Sequence, residues 1–201
     1  MSQFLLDIVQ KKFGHAVVST HAKLGNETAV VNAEDLYSLC EFLRDDPQTR
    51  MTTCMDVTAV DWLERDPRFD VVYHLYSMEK HHRLRLKVQV GGEPPKVPSI
   101  TPIWKGANWF ERETFDMYGV IFEGHPDLRR VLLYPEFKGH PLRKDYPIDK
   151  RQPLIENRQR NINYGIQGIS GDPTIVQIGG LGKPSTTGVH AVKTVEGNHN
   201  G

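Results

Sequence analysis

The chain has 201 residues, of which 38% are apolar and 25% are charged, with 25 acidic side chains against 25 basic ones. This length and composition predict one globular core, with or without an extended appendage, and the neutral balance argues against a nucleic-acid-binding protein. Two cysteines, Cys40 and Cys54, are too few for a disulfide framework, a zinc site made of cysteines or a cysteine-ligated iron–sulfur cluster. No apolar run is long enough to cross a bilayer, and Asp7 interrupts the stretch that a signal peptide would need, so we expect a cytoplasmic protein or one held at a membrane by partners.

The first part of the chain alternates between helix and strand patterns. Apolar residues at helical spacing predict a helix over residues 3–13, and two β-rich runs over 15–22 and 26–32 flank a turn and predict a hairpin. The next predicted helix is capped by Asn32 and ends before Pro47. Its apolar stripe consists of Leu36, Leu39, Cys40 and Leu43.

Three strands are predicted next, over residues 51–60, 69–78 and 83–90. The third alternates apolar and basic side chains, so one face of the sheet is expected to be buried and the other to be cationic. A four-residue hairpin loop over 79–82 sets the expected register. That register pairs Met78 with Arg83, Tyr76 with Arg85, His74 with Lys87, Tyr73 with Val88 and Leu75 with Leu86. The order of the elements predicts a two-layer α+β domain, α-β-β-α-β-β-β, with a mixed sheet and helices on one side.

One more helix is predicted after these strands. Thr101 and the proline that follows it are a plausible helix start, but Gly106 interrupts the first turn, so the helix resumes near Ala107 and ends at Gly119. We therefore assign residues 1–119 to the α+β domain and residues 120–149 to a turn-rich segment that packs on the domain and on a partner. Residues 150–201 hold nine of the 17 glycines and predict a tail that is extended or disordered.

The stretch ERETFDMYG, residues 111–119, concentrates charge on this last helix. On a helical wheel Glu111 joins the apolar stripe, while Arg112, Glu113 and Asp116 lie on the opposite side. A buried carboxylate without a partner is costly, so Glu111 must lie at the rim, be protonated or meet a cation. The candidate cations are Arg129, Arg130 and Arg143.

Three interpretations of this stretch compete. A catalytic acid/base pair of Glu111 and Glu113 is disfavoured, because residues two apart on a helix point roughly 200° away from each other. A solvated face with local pairs such as Arg112 with Asp116 is the usual role of a charge run. The third interpretation places the helix between its own domain and another subunit.

Other polar residues favour turns and protein contacts over metal or phosphate sites. Four of the nine histidines are candidates for metal ligands, and they do not have the spacing of a metal site: His81 and His82 at the hairpin tip, and His125 and His140 before prolines. A basic cluster is interleaved with acids, which favours pairing within the protein or with another protein. Its bases are Arg129, Arg130, Lys138, Arg143 and Lys144, and its acids are Asp127, Glu136, Asp145 and Asp149.

ERETFDMYG, followed by VIFEGHPDLRRVL and GHPLRKDYP, resembles the signature of the C subunit of respiratory complex I, the proton-translocating NADH-quinone oxidoreductase (NDH-1) of bacteria. The similarity covers roughly residues 30–147. The signature positions are Glu111, Arg112, Glu113, Asp116, Met117, Tyr118, His125, Arg129, Val131 and Leu132. After residue 147 the glycine-rich tail does not visibly match the family.

The resemblance implies a peripheral membrane protein of the respiratory chain, on the cytoplasmic side of the inner membrane, without catalytic, cofactor-binding or metal-binding residues of its own. The holoenzyme, a translocase, moves electrons from NADH through FMN and iron–sulfur clusters in other subunits to quinone. The implied neighbours are the D subunit, chiefly, and the B and I subunits. The residues expected to serve structure or interface are Glu111, Arg112, Glu113, Asp116, Tyr118, His125, Arg129, Arg130, Arg143 and Asp145.

The sequence leaves two alternatives open. The same domain occurs in related membrane-bound hydrogenases and ferredoxin-linked complexes, and nothing in this chain contacts the electron donor. In the second alternative, the chain is an independent metal-binding module or hydrolase that uses its histidines and carboxylates. Activity or stoichiometric metal in the purified chain would support that alternative.

Overall fold

A computed structural model describes residues 3–153 of the chain. Within them are three α-helices and seven β-strands, in an order that begins helix, two strands, helix, three strands, as predicted. The helices are α1 (Phe4–Phe13), α2 (Leu36–Asp45) and α3 (Ala107–Tyr118). The strands are β1 (Val17–His21), β2 (Thr28–Val31), β3 (Thr53–Asp61), β4 (Phe69–Tyr76), β5 (Arg83–Val90), β6 (Lys96–Pro98) and β7 (Ile121–Glu123).

Five of the strands form one sheet in the order β1-β2-β5-β4-β3. β2 and β5 run parallel, and the other neighbours are antiparallel, so the sheet is mixed. The predicted β1–β2 hairpin and the predicted α+β class are therefore confirmed. β6 and β7 form a separate parallel pair. None of the helices within residues 3–153 has the length and apolarity to span a membrane.

The core lies between the helices and one side of this sheet. The predicted stripe of α2 is fully buried, and α1 adds three more buried side chains to the same cluster. The apolar side chains of β5 belong to that cluster as well, whereas its basic side chains do not. From β4 the cluster contains Phe69, Val71, Tyr73 and Leu75. Sheet and helices thus form the two predicted layers. The alternation along β5 decides which face is buried, because successive side chains of a strand point to opposite faces.

The predicted cap of α2 is wrong. The backbone N–H of Asn32 donates to Ala16 O at 2.9 Å and so continues the hairpin ladder. A turn follows, and α2 begins at Leu36 with Asp35 at the N-cap position, where no side-chain hydrogen bond caps it. Asn32 has the residue type of a cap, but its backbone is already committed to strand pairing.

The predicted register of the β4–β5 hairpin is wrong by two residues. Tyr76 pairs with Arg83, and the loop has six residues instead of four. Within it the N–H of Ser77 donates to His82 O at 3.0 Å and the N–H of His81 donates to Ser77 O at 2.9 Å. A shift of two residues leaves every side chain on its predicted face, because the side-chain period of a strand is two.

Helix α3 packs against the edge strand β3. It resumes after Gly106 and ends at Gly119, as predicted, and Gly119 takes the left-handed conformation with φ 77°. Thr114 Oγ1 donates to Val57 O of β3 at 2.8 Å. This bond engages one backbone carbonyl of the edge strand.

The chain up to Pro153 forms one compact unit. After Gly119 it enters β7 and then runs through turns as far as residue 153. The boundary predicted at residue 119 stays a prediction. The glycine-rich tail predicted over residues 150–201 lies outside the described residues from 154 onward.

Candidate interface on helix α3

Two carboxylates of α3, Glu111 and Asp116, have no solvent exposure, and they make separate sets of contacts. Glu113, between them in sequence, is exposed. Glu111 was expected on the buried side and is found there. The opposite side, which is solvent-exposed in only one of the three interpretations, is largely buried as well, because the chain after β7 folds back over Arg112 and Asp116.

Glu111 accepts hydrogen bonds only from the turn that precedes α3. The donors are Ser99 Oγ at 2.6 Å, the Ile100 N–H at 2.7 Å and Thr101 Oγ1 at 3.1 Å. The predicted arginine partner is wrong, because Arg129, Arg130 and Arg143 make their contacts elsewhere. Burial raises the pKa of Glu111 to about 6, although these hydrogen bonds favour the ionised form.

Asp116 is the acceptor that organises residues 130–133. Its Oδ1 binds Arg130 Nη1 at 2.7 Å, and its Oδ2 accepts the backbone N–H groups of Val131, Leu132 and Leu133 at 3.1, 2.9 and 2.9 Å. Burial alone would raise the pKa of Asp116, but the three N–H groups and the guanidinium together hold this pKa below its ordinary value. One ionised carboxylate thus fixes a turn that has no regular secondary structure.

Arg112 holds the same turn as a hydrogen-bond donor, whereas Asp116 holds it as an acceptor. Its Nε donates to Arg129 O at 3.2 Å and its Nη2 donates to Arg130 O at 3.4 Å. Its guanidinium lies 5.0 Å from the centre of the Trp109 ring. The solvated-face interpretation, with its local pair of Arg112 and Asp116, is therefore wrong, since one side chain binds carbonyls of the turn and the other binds its N–H groups.

The C-terminal carbonyls of α3 are satisfied by residues 140–143. His140 Nδ1 donates to Asp116 O at 2.9 Å, the Leu142 N–H donates to Met117 O at 3.1 Å, and Arg143 Nε donates to Tyr118 O at 2.6 Å. The last carbonyls of a helix have no partner within the helix, so they are natural attachment points for a following segment. We call Arg112, Asp116, Arg130, His140 and Arg143 the α3 network.

Gly119 permits the close approach of this segment. A Cβ on Gly119 would lie 2.7 Å from the His140 ring and 2.8 Å from Arg143 Nη2, and its φ of 77° is unfavourable for any residue with a Cβ.

We expect Gly119→Ala to destabilise the purified chain by about 1–3 kcal/mol in urea unfolding. Gly106→Ala is the control, because Gly106 has open space around its Cβ position. We expect that control to be neutral or stabilising by up to about 1 kcal/mol. Equal effects of the two substitutions would contradict this role of Gly119.

A second cluster, not found from the sequence, ties the segment to the sheet. Arg68 binds Asp61 at 2.7 Å through both Nε and Nη2, and it also reaches Asp145 at 3.0 Å. The Lys144 N–H donates to Asp61 Oδ2 at 2.8 Å. The Arg68 guanidinium is the main reason that the pKa values of Asp61 and Asp145 lie below their ordinary values. Asp61 and Arg68 stand seven residues apart in the chain, so only the antiparallel pairing of β3 with β4 brings them together.

The remaining predicted residues lie around this core of contacts. His125 Nε2 donates to Asn108 O at 3.2 Å, while its Nδ1 accepts the Asp127 N–H. Arg129 pairs with Asp127 in solvent, and Tyr118 is half-buried. Arg130, predicted as a partner for Glu111, also donates to Gly139 O at 3.0 Å. All ten predicted residues thus lie on α3 or on the segment that follows it.

Exposed apolar side chains surround the α3 network. Trp109, Leu132 and Leu142 expose 64%, 62% and 51% of their surface. Among the described residues, no three His, Cys, Asp or Glu side chains gather as metal ligands would. The polar groups hold backbone and the apolar groups face outward, an arrangement suited to binding another protein.

Comparisons with known proteins agree with one another. A family model described as the 30 kDa subunit of the respiratory-chain NADH dehydrogenase matches residues 29–152. The NADH-quinone oxidoreductase C subunit of Rhizobium johnstonii is 50% identical over 134 residues, which cover 67% of this chain and 66% of that protein. The corresponding C subunit of Caulobacter vibrioides is 51% identical over 142 residues, 71% of each chain.

Two solved structures share the fold. The trypsin-resistant fragment (1-134) of Nqo5 is 28% identical with a TM-score of 0.53, covering 63% of this chain and all of the fragment. A chain of the membrane-bound sulfane sulfur reductase, an archaeal respiratory membrane complex, is 22% identical with a TM-score of 0.60. That match covers 72% of this chain and 84% of the archaeal one, and at this identity it shows the fold alone.

Proposed function

Since the chain belongs to the family of the respiratory-chain NADH dehydrogenase 30 kDa subunit, we propose that it is a structural subunit of a proton-translocating NADH-quinone oxidoreductase. It contributes to the peripheral arm and takes no part in the chemistry. The assembled enzyme moves electrons from NADH through FMN and iron–sulfur clusters to quinone, and those groups are held by other subunits.

The hydrogen bonds of the residues in the signature stretches support this proposal. Arg112, Asp116 and Arg143 are all engaged in hydrogen bonds to backbone, and each of these bonds attaches residues 129–143 to α3. Side chains committed in this way hold a shape and are not free to act on a substrate. The shape they hold presents Leu132 and Leu142 to solvent.

We place the chain against the D subunit near the quinone-reducing end, with the B and I subunits as further neighbours. Two features support a subunit interface on this side of the chain: apolar side chains held out on the turns at 130–133 and 140–143, and polar groups beneath them that are already satisfied. The signature resemblance supports the identity of the neighbours and a position on the cytoplasmic side of the bacterial inner membrane, held through the complex.

Purification through an affinity tag from the native membrane tests the proposal. We expect the chain to bring subunits of an NADH-quinone oxidoreductase with it in equal amounts, together with NADH-dependent quinone reduction. A nickel-containing large subunit without NADH input would assign the chain to a hydrogenase-type complex instead. Stoichiometric metal or hydrolase activity in the purified chain alone would support an independent module and contradict the proposal.

A pair of double variants tests the exposed apolar surface within that experiment. Leu132→Ser with Leu142→Ser should lower recovery of the partner subunits, because it removes two apolar contacts from the proposed interface. The control, Val18→Ser with Leu24→Ser, removes two exposed apolar side chains from β1 and the turn after it. Both doubles should leave the unfolding midpoint of the purified chain close to the original. Normal assembly with the first double would argue against this interface.

A further inference from the structure

The side of the five-stranded sheet that faces away from the helices is cationic. Arg83, Arg85 and Lys87 alternate along β5 with buried leucines and valine, and the cross-strand neighbours of the two arginines on β4 are Tyr76 and His74. We call these five residues the outer face. β5 lies in the middle of the sheet, so the row of positive charge runs through the centre of this surface and not along its rim.

The three cations of the outer face make no ion pair with any described residue. Arg83 lies over the Tyr76 ring at 5.5 Å, and no carboxylate within residues 3–153 approaches Arg83, Arg85 or Lys87 to 4.0 Å. Three other arginines of the fold contrast with them, since Arg68, Arg130 and Arg143 each bind a carboxylate. The outer face is therefore a surface on which basic side chains have not been neutralised within the fold.

Two acids lie near the outer face, and neither neutralises it. Asp70 of β4 is buried and bound by Arg65 and by Trp62 Nε1. Asp56 of β3 lies beside His74 in the same cross-strand row as Arg85. The pKa of His74 is lowered, first by burial and then by Arg85, and the opposing effect of Asp56 does not reverse this direction. The local field is thus positive at the centre of the face.

A buried apolar side chain lies among the residues of the outer face. Val72 lies across from Lys87 and is only 5% exposed, although it does not belong to the core on the helix side. The long stems of basic side chains cover apolar surface of this kind. Arginine and tyrosine, both present here, are enriched in protein interfaces.

We propose that the outer face docks an acidic surface of another subunit in the assembled complex. This inference rests on the proposed function, since it assumes that the chain works inside a complex. Successive basic side chains on β5 stand roughly 7 Å apart. Carboxylates one turn apart on a helix are roughly 5–6 Å apart, and arginine binds carboxylate through two parallel hydrogen bonds. A helix with a row of Asp and Glu is the complementary surface.

Charge argues against two other occupants. The chain as a whole is neutral, with 25 acidic and 25 basic residues, so it lacks the extended positive field that nucleic acid requires. Residues 154–201 of the chain contain three acids and four bases, so the composition of this segment is not that of a complementary acidic surface. We therefore assign the complementary acids to another chain.

Lys87 allows a direct chemical test in the purified complex. A carbodiimide joins an amine to a carboxylate in contact with it through an amide bond, and the water that is lost converts the reagent to its urea. We expect a cross-link from Lys87 to an Asp or Glu of another subunit, identified by mass spectrometry of the digested complex. Lys87→Arg should abolish this cross-link and leave assembly unchanged, because it keeps the charge and removes the amine. Lys23, exposed on the turn after β1, is the internal control.

Charge reversal provides the second measurement. Arg85→Glu with Lys87→Glu should weaken retention of the cross-linked subunit about tenfold at moderate salt, because it places like charges across the interface. The control, Lys11→Glu with Lys23→Glu, changes the net charge by the same amount on exposed positions away from the outer face.

Several outcomes would overturn the inference. One is that the Lys87 amine reacts with an acylating reagent as fast in the complex as in the isolated chain. Another is that Lys87 forms cross-links only to residues of this chain. A third is that Lys87 is protected in the complex but loses this protection after treatment with nuclease or detergent. If the chain copurifies with oxidoreductase subunits and Lys87 stays accessible, only this inference fails. If no such subunit copurifies, the proposed function fails first.

Discussion

Asp116→Ala is expected to destabilise the purified chain by about 3–5 kcal/mol, which is typical when one partner of a buried ion pair is removed. The substitution leaves the Arg130 guanidinium without its carboxylate, and it leaves the N–H groups of Val131, Leu132 and Leu133 without an acceptor. Asp116→Asn should be intermediate between the original chain and the Ala variant, because one amide oxygen still accepts hydrogen bonds but the charge is lost. Urea unfolding followed by circular dichroism measures the change.

Limited digestion with trypsin shows where the change acts. Arg129 and Arg130 lie within the turn that Asp116 holds, so cleavage after them should be much faster in Asp116→Ala than in the original chain. Glu113→Ala is the matched control, since Glu113 is an exposed acid on the same helix and its loss should change stability by less than about 0.5 kcal/mol. Equal cleavage and equal stability in both variants would show that Asp116 does not organise the turn.

The second large effect concerns Glu111. Glu111→Leu should cost about 3 kcal/mol or more, because it leaves the Ser99 and Thr101 hydroxyls and the Ile100 N–H without their acceptor in a buried place. Glu111→Gln should be much milder at neutral pH, since its amide oxygen keeps the bond to Ile100 and no charge remains to be buried. The comparison of the two variants separates the hydrogen bonds of Glu111 from its charge.

The pH dependence of Glu111 follows from its pKa. The pKa rises from the ordinary value of 4.5 to about 6 on folding, so the folded chain binds this proton more tightly than the unfolded chain. The stability that protonation contributes is complete below pH 4.5 and is lost as the pH rises through 6. A difference of about 1.5 in pKa corresponds to about 2 kcal/mol.

The measurement is the difference in unfolding free energy between the original chain and Glu111→Gln at several pH values. We expect this difference to move by about 2 kcal/mol in favour of the Gln variant between pH 4.5 and pH 7. Glu113→Gln should show no such trend relative to the original chain. A constant difference across this range would mean that Glu111 titrates normally in the folded state, which would contradict its burial without a cation.

Two acids five residues apart on one helix therefore have pKa values displaced in opposite directions. Asp116 meets a guanidinium and three N–H groups, whereas Glu111 meets three donors and no cation. The two acids therefore have different structural roles. Asp116 must be ionised to hold the turn that presents Leu132, while Glu111 joins α3 to its own preceding turn within the domain core.

The sequence by itself determined the faces of the sheet, the order of the elements and the helix end at Gly119. These depend on the period of the side chains and on one residue type that tolerates positive φ, both of which are local properties of the chain. It also carried the family resemblance, because the signature is a pattern of residue types at set spacings. The helical wheel correctly placed Glu111 on the buried side for the same reason.

Only the tertiary structure decided the hairpin register, the commitment of Asn32 to a strand and the partners of the charged residues. A shift of two residues preserves every face, so the alternation along β4 and β5 could not distinguish the two registers. The partners of Glu111 and Asp116 were equally hidden, because three of the groups that bind each of them are backbone N–H or hydroxyl groups, and side-chain type does not reveal which of these lie near. Such donors can be identified only from the tertiary structure, in which the turns at 99–101 and 130–133 pack against α3.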